Sequence, residues 1–424
     1  MIFIMKKYCI TIFLFSMLVF APIEAQNTAL FKEVVTELSS SKYQGRGYTN
    51  DGVRKAGKYI ERQFQKVGVD KVETQSYNID INTFPGKMEM SVDGRKLQPG
   101  DDFVMREYSP GVKGSFGLYY IDTANYNFDR ILSDLQKPEN KDCFVVCDFW
   151  FTYKHGKDFR KLESLAGAPN AGVVYQWDSP LKFYKAYGEK VVEKPIIWVS
   201  SQFPTDAKQI KTNIGHRFLP GYASDNVIAV VEGRRHDSCY VFTAHYDHLG
   251  KLGRKQFYPG ANDNASGTAA IITLAEYYVQ HRPEFDMLFI AFSGEETGLR
   301  GSTYYVEHPT VELSKIIYLF NLDMVGDNNP VQYVEVSDAG NAGFTRMEQM
   351  NASNYYFQSF NRGQLAGNSD HYPFAQKGVP CILFENEEGD AFPFYHTYHD
   401  DMAHFRFDTY GPLFQLLTDF VNQK

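Results

Sequence analysis

The run Cys239-Tyr240-Val241-Phe242-Thr243-Ala244-His245-Tyr246-Asp247-His248 decides the architecture. Cys239 to Ala244 reads as a buried strand, and the polar quartet after it sits where such a strand ends. The same arrangement recurs downstream. Met287 to Phe292 is a strand followed by Glu295 and Glu296, and Ile316 to Leu322 is a strand followed by Asp323. Pro380 to Phe384 is a strand ahead of the last long loop, which carries His396. Val227 to Val231 makes a further strand. Helical patterns over Gly267–Gln280, Gly298–Glu307, Ala342–Met350 and Phe405–Val421 alternate with these strands. Strands interleaved with helices predict an α/β fold, with a mostly parallel sheet covered on both faces. Such open sheets carry their sites beyond the carboxyl ends of the strands, which is where these acids and histidines fall.

Upstream the texture differs. Leu30, Val34, Val35 and Leu38 recur at helical spacing, as do Val53, Ala56, Tyr59, Ile60, Phe64 and Val67. From about Thr83 to Gly215 the chain breaks into short β-like runs at Gly117–Ile121, Asp142–Phe149, Gly172–Gln176 and Pro195–Val199. Turn signals such as Pro85-Gly86, Pro99-Gly100 and Pro110-Gly111 separate them. This block lacks the clustering of acid and His, and is expected to be an inserted β-rich domain. At the amino end, Lys6 and Lys7 precede an apolar run to Phe20 and then Ala21-Pro22-Ile23-Glu24-Ala25, the pattern of a signal peptide cut after Ala25. The expected division is therefore a signal peptide over 1–25, a helical part of the main domain over 26–82, the insert over 83–215, and the main α/β domain over 216–424.

Composition sets outer limits. The chain has 424 residues, 43% hydrophobic and 22% charged, which is ordinary for a globular protein. Its net charge of −8 argues against a nucleic-acid partner. After the leader no stretch approaches the ~20 apolar residues of a membrane span, so the mature chain is expected to be exported, periplasmic or extracellular, without a span. Aromatic residues reach 16%, which suits either a broad sugar or peptide groove or a β-rich core. Cys143 and Cys147 share one strand and cannot pair with each other there. With Cys239 and Cys381 they read as small buried residues.

Asp263, in Gly260-Ala261-Asn262-Asp263-Asn264-Ala265-Ser266-Gly267, stands just before a helix and suits either a helix cap or a site. With His245, Glu295, Glu296, Asp323 and His396 it completes a set of donors on one edge. Imidazole and carboxylate suit Zn²⁺, and two such ions need a bridging carboxylate and terminal ligands of their own. One acid must stay free to accept a proton, and the adjacent Glu295 and Glu296 can divide those tasks.

The segments His245-Tyr246-Asp247, Asp263-Asn264, Gly294-Glu295-Glu296-Thr297-Gly298, Asn321-Leu322-Asp323-Met324 and Tyr395-His396-Thr397 resemble the M28 family of zinc aminopeptidases. The likeness covers roughly Asn226 to Lys424. It extends to Leu38–Val67, where Gln44-Gly45-Arg46-Gly47 before a helix resembles that family's opening. It implies a three-layer α/β/α zinc-exopeptidase fold with a mostly parallel central mixed sheet. By position, the insert is similar to a protease-associated domain. The family implies two Zn²⁺ per chain, with His245 and Glu296 on separate ions, Asp263 bridging, Asp323 completing the His245 ion and His396 the Glu296 ion. It further implies a zinc-bound water as nucleophile, Glu295 as general base, Asp247 orienting His245, and Tyr395 donating to the oxyanion. Peptides with a free N-terminus are the implied substrates, and a cis bond between Asp263 and Asn264 is expected.

Neighbouring residues are read as structural. His248, His399 and His404 are expected not to bind metal, and Asp400 and Asp401 to cap or orient the loop carrying His396. Asp370 either lines the site or fixes its loop, while His371 is structural. Phe392, Phe394 and Tyr395 form either a side-chain pocket or core. The alternatives are glutaminyl cyclisation, carboxypeptidase action with Arg300 or Arg362 receiving a carboxylate, and a non-catalytic receptor-like protein. No Gly-x-Ser-x-Gly elbow or His-Glu-x-x-His helix is present.

Overall fold

A computed structural model of the chain describes residues 28–177, 181–184, 190–326, 328–385 and 392–422. The expected signal segment and its cleavage point lie outside the described residues.

Two eight-stranded sheets organise the molecule. The first runs in the order Lys71–Thr83, Arg217–Val231, Phe285–Phe292, Arg235–His245, Ile316–Asp323, Cys381–Glu385, Val331–Val336, Ser359–Arg362. Its four central strands, from Phe285–Phe292 to Cys381–Glu385, are parallel, and antiparallel neighbours flank them. Strands buried on both faces need unbroken apolar runs, which explains why these four were legible. Successive side chains enter opposite layers. Phe242, Phe289 and Phe320 stack, with centroids 5.6 and 5.0 Å apart, towards the helices Thr28–Leu38, Gly52–Val67, Gly267–Gln280, Asn341–Asn354 and Tyr410–Asn422. Val241, Leu288, Ile290 and Leu319 face the other way, towards Arg300–Glu307 and His371–Gln376. The result is the expected three-layer α/β/α arrangement with a mixed, centrally parallel sheet.

The helical reading of the amino-terminal part stops at Val67. Lys71–Thr83 is a strand, paired antiparallel with Arg217–Val231 from Lys71↔Val230 to Thr83↔Arg217. Its polar start hides the alternation, which appears only where Tyr77, Ile79 and Ile81 are buried between exposed Asn78 and Asp80. The short outer strands Val331–Val336 and Ser359–Arg362 and the six-residue helix His371–Gln376 carried too little periodicity to be seen.

The second sheet is built within the inserted block, in the order Arg95–Leu97, Met88–Val92, Gln209–Ile214, Val112–Tyr120, Phe144–Asp148, Gly172–Trp177, Ile196–Ser200, Phe103–Met105. The block is not β alone. Helices Phe128–Leu135, Phe149–Lys154 and Gly156–Leu162 join it, and Ile131, Leu135, Phe159 and Leu162 pack into its core. Asp148 ends one strand and starts the next helix, because its carboxylate accepts from the Phe151 amide at 2.8 Å. Leu249, Leu252 and Tyr258 of the first module are buried in this second core, so the modules share an apolar seam. All four cysteines from Cys143 onward are buried and unbridged. Among the described residues no helix is long and apolar enough to cross a membrane.

Candidate metal centre

The central parallel strands deliver the donors to one edge. His245 and Asp323 are the last residues of Arg235–His245 and Ile316–Asp323. Glu295 and Glu296 follow Phe285–Phe292, Asp263 sits in the turn Ala261–Ser266, and His396 lies in the loop beyond Cys381–Glu385. His245 Nε2 is 3.2 Å from Asp323 Oδ1, 3.4 Å from Asp263 Oδ1 and 3.9 Å from Glu295 Oε2. His396 Nε2 is 3.2 Å from Asp263 Oδ2 and 3.3 Å from Glu296 Oε2. The five expected ligands and the expected base thus converge, and the two oxygens of Asp263 face different imidazoles.

The surroundings fix these groups in place. His245 Nδ1 lies 3.1 Å from the Asp247 carbonyl, which can only accept. Nδ1 therefore carries a hydrogen, and Nε2 is the nitrogen turned towards Asp323 and Asp263. The orienting contact is the Asp247 backbone, since its carboxylate is 3.9 Å away and instead accepts from the Tyr48 hydroxyl (3.1 Å) and the Glu295 amide (3.2 Å). Ser369 Oγ takes a hydrogen bond from Asn321 and donates to Asp323 Oδ2 at 2.6 Å. Asp400 accepts from the amides of Asn262 and Asp263 at 2.8 and 2.9 Å, and its own amide donates to the Thr397 carbonyl, so it ties the loop carrying His396 to the Asp263 turn. The Asp263–Asn264 peptide is cis, as expected. Gly260 must be glycine, because its φ is +59° and a Cβ there would come 2.2 Å from the Asp263 carbonyl oxygen.

Beneath the turn lies Arg46, fully buried. Its guanidinium donates to the carbonyls of Tyr246, Leu38, Pro259, Gly260 and Asp263 at 2.6–3.0 Å. Burial lowers it to about 10 even though Asp263 and Asp400 favour its charge. Sequence reasoning quoted this residue only as part of a motif and gave it no role.

Asp247, Asp263, Glu296, Asp323, Asp370 and Asp400 are buried and Glu295 nearly so, and among the described residues they are met by the buried guanidinium of Arg46 and the imidazoles of His245, His248 and His396. Unbalanced buried carboxylates are costly unless cations join them. Burial holds Glu295 well above the ordinary carboxyl range, although His245 opposes this. Burial also acts on Glu296, but His396 and His248 outweigh it and hold that carboxyl well below the range. Burial opposes the charge of His396, yet Glu296 and Asp263 win and push it up to about 10. Asp263 Oδ2, though ringed by imidazoles, makes no hydrogen bond. Two clusters, His245–Glu295–Asp323 and His248–Asp263–Glu296, have donor atoms near enough to one another to hold an ion. The donor chemistry therefore fits hard or borderline divalent cations such as Zn²⁺.

His248 lies nearer the centre than its loop position suggested. It is fully buried, 2.8 Å from Glu296 Oε1 and 3.5 Å from Asp263 Oδ2 through Nδ1, and so belongs to the centre. Its place one residue beyond Asp247 was the available signal. His399 is exposed, and His404 pairs with Asp401 at 2.9 Å, outside the cluster. Asp370 is buried, which pushes its carboxyl up to about 7, and His371 faces Glu335 at 3.4 Å. Tyr395 stacks on His396 with centroids 3.8 Å apart. Phe392 is buried edge-on to Phe394, which also packs on His404. Arg362, on the outer strand Ser359–Arg362, donates to Asn341, and Arg300 donates to the Thr297 carbonyl.

An α/β sheet with imidazoles and carboxylates meeting at its parallel strand ends makes a candidate centre for divalent cations. Residues 226–421 match the model of Peptidase family M28. The chain is 34% identical over 190 residues to Aminopeptidase YwaD of Bacillus subtilis (strain 168), a match covering 43% of this chain and 40% of that protein. It thus spans two fifths or less of the length of the first curated relatives it matches. Among solved structures, BSAP, a zinc aminopeptidase from Bacillus subtilis, superposes with a TM-score of 0.71 at 22% identity, covering 94% of this chain and 95% of that one. The Peptidase M28 precursor from Shewanella amazonensis gives 0.72 at 18% identity, with 94% coverage of each chain. These two likenesses concern the fold.

Proposed function

We propose that this chain is an exported dinuclear zinc aminopeptidase, removing residues from peptides with a free N-terminus. The observation that carries the reading is Asp263, whose Oδ1 faces His245 at 3.4 Å while its Oδ2 faces His396 at 3.2 Å. A carboxylate shared between two imidazole-bearing half-sites is what a bridged pair of cations requires. His245 and Asp323 would hold one ion, and His396 and Glu296 the other. The bound ions supply Lewis acidity towards a peptide carbonyl and lower the pKa of water.

The protein's own groups do the rest. Glu295, raised by burial and beside the cluster, takes the proton of the attacking water and passes it to the leaving amine. Glu296, held ionised by two imidazoles, remains a ligand. The adjacent acids are thus driven in opposite directions, which is how a site divides acid–base work between like groups. Tyr395 would donate a hydrogen bond to the oxyanion. The leader-like residues 1–25 support export, and the block 83–215 would be a protease-associated-like domain.

The test is a zinc-loaded assay against free and N-acetylated peptides, with zinc counted per chain. Cleavage confined to free amines with two zinc ions supports the proposal. One zinc with pyroglutamate formation would instead establish a cyclase.

A further inference from the structure

We infer that Lys182–Tyr184 of the inserted module is a positioning element for the second cation site and acts through His396. This rests on the two-ion reading above. The two ligand histidines are oriented differently. His245 has its remaining ring nitrogen fixed by the Asp247 carbonyl at 3.1 Å. Ligand imidazoles ordinarily take their orientation from such a bond. His396 Nδ1 is buried and has no hydrogen-bond partner among the described residues, so its ring is held by packing.

That packing comes largely from the insert. The ring of Tyr184 meets the His396 imidazole edge-on, centroids 4.8 Å apart at 72°. The Phe183 amide donates to the His396 carbonyl at 3.0 Å. Lys182 Nζ lies 4.7 Å above the ring of Tyr395, which stacks on the imidazole. His396 has φ of +56°, a left-handed backbone that a side-chain-bearing residue keeps only when its surroundings impose it. The strap is anchored on both sides of the seam between the modules. Phe183 is 1% exposed with its ring 5.2 Å from Tyr258, and Tyr184 abuts Trp198 of the strand Ile196–Ser200. One imidazole is therefore set by the peptidase half itself and the other by a clamp from the second module.

The experiment is a stepwise Zn²⁺ or Co²⁺ titration of the metal-stripped full chain, comparing wild type with Tyr184→Ala and Tyr184→Phe. Tyr184→Ala should keep one tight equivalent and bind the other about 10–100-fold more weakly, the usual range for a lost orienting partner. Tyr184→Phe, which retains the ring, should bind both as wild type does. The melting temperature of the stripped Tyr184→Ala chain should match that of stripped wild type. Wild-type affinity for both equivalents in Tyr184→Ala would overturn the inference. So would equal weakening of both, or a lower melting temperature of the stripped variant, since either marks a general structural defect. A single equivalent in wild type would overturn the two-ion reading itself.

Discussion

The guanidinium of Arg46 donates to the carbonyl of Asp263 across 3.0 Å, joining the short helix Ser41–Arg46 to the residue at the middle of the donor cluster. The same side chain gathers four other carbonyls, so it acts as the internal framework of the Asp263 turn. Arg46→Met would leave these acceptors buried and unpaired, at about 1–3 kcal/mol for each one that finds no new partner. The expected result is a fall in urea-unfolding free energy of at least about 3 kcal/mol, together with reduced metal content. A variant unfolding at the wild-type midpoint would show that the turn supports itself.

Glu295→Gln keeps the size of the side chain and removes its basicity. If Glu295 moves the proton, kcat should drop by about 10²–10⁴-fold, while metal content, read by atomic emission, stays at the wild-type level. Near-wild-type turnover would reassign the base.

His248 binds the Glu296 oxygen opposite the one that faces His396, so its removal should loosen that carboxylate. In His248→Ala, metal affinity measured by competition with a chelating dye should weaken about 10–100-fold. Unchanged affinity would make His248 a packing residue only.

Stripping the ions should destabilise the protein, because the buried carboxylates then repel one another without compensation. Each ion present at a hundredfold excess over its Kd stabilises the native state by about 2.7 kcal/mol. The thermal transition should therefore drop on chelation and recover when Zn²⁺ is returned. A transition indifferent to chelation would argue that the centre is held without cations.

One acid-sensitive contact lies at the root of the insert. His216 Nδ1 accepts from the Gly111 amide at 2.7 Å, which only an unprotonated nitrogen can do. Burial holds this imidazole below its ordinary value. The unfolded chain therefore takes up the proton first as pH falls, and the contact contributes above that range and is lost below it. Hydrogen exchange at the Gly111 amide, corrected for intrinsic rate, should be faster at pH 5 than at pH 7.5. Equal protection would show the contact to be dispensable.

The legible part of this chain was the part with the most one-dimensional signal. Val241–Ala244, Met287–Phe292 and Ile316–Leu322 are buried on both sides, so each reads as an apolar block with its functional acid or histidine immediately after it. Lys71–Thr83 was opaque because half of it faces solvent and its partner strand lies well over a hundred residues away. Phe149–Lys154 and Gly156–Leu162 are too short to complete a convincing helical period. Within the centre, His245, Asp263, Glu296, Asp323 and His396 stood out through their motifs. Arg46 and Tyr184 did not, because what matters about them is a partner more than two hundred residues off, and no local pattern encodes it.

Thr83 pairs with Arg217, so the chain leaves the first sheet and re-enters it at neighbouring positions on adjacent strands. Topologically the second module is a bead on a closed stem: its endpoints already sit where a tight hairpin would put them. Cutting it out and joining the stem would leave the order of the first sheet unchanged. What it would forfeit is the seam around Leu252 and Tyr258. Such an attachment lets one scaffold gain or exchange an accessory lobe without renegotiating the register of its core.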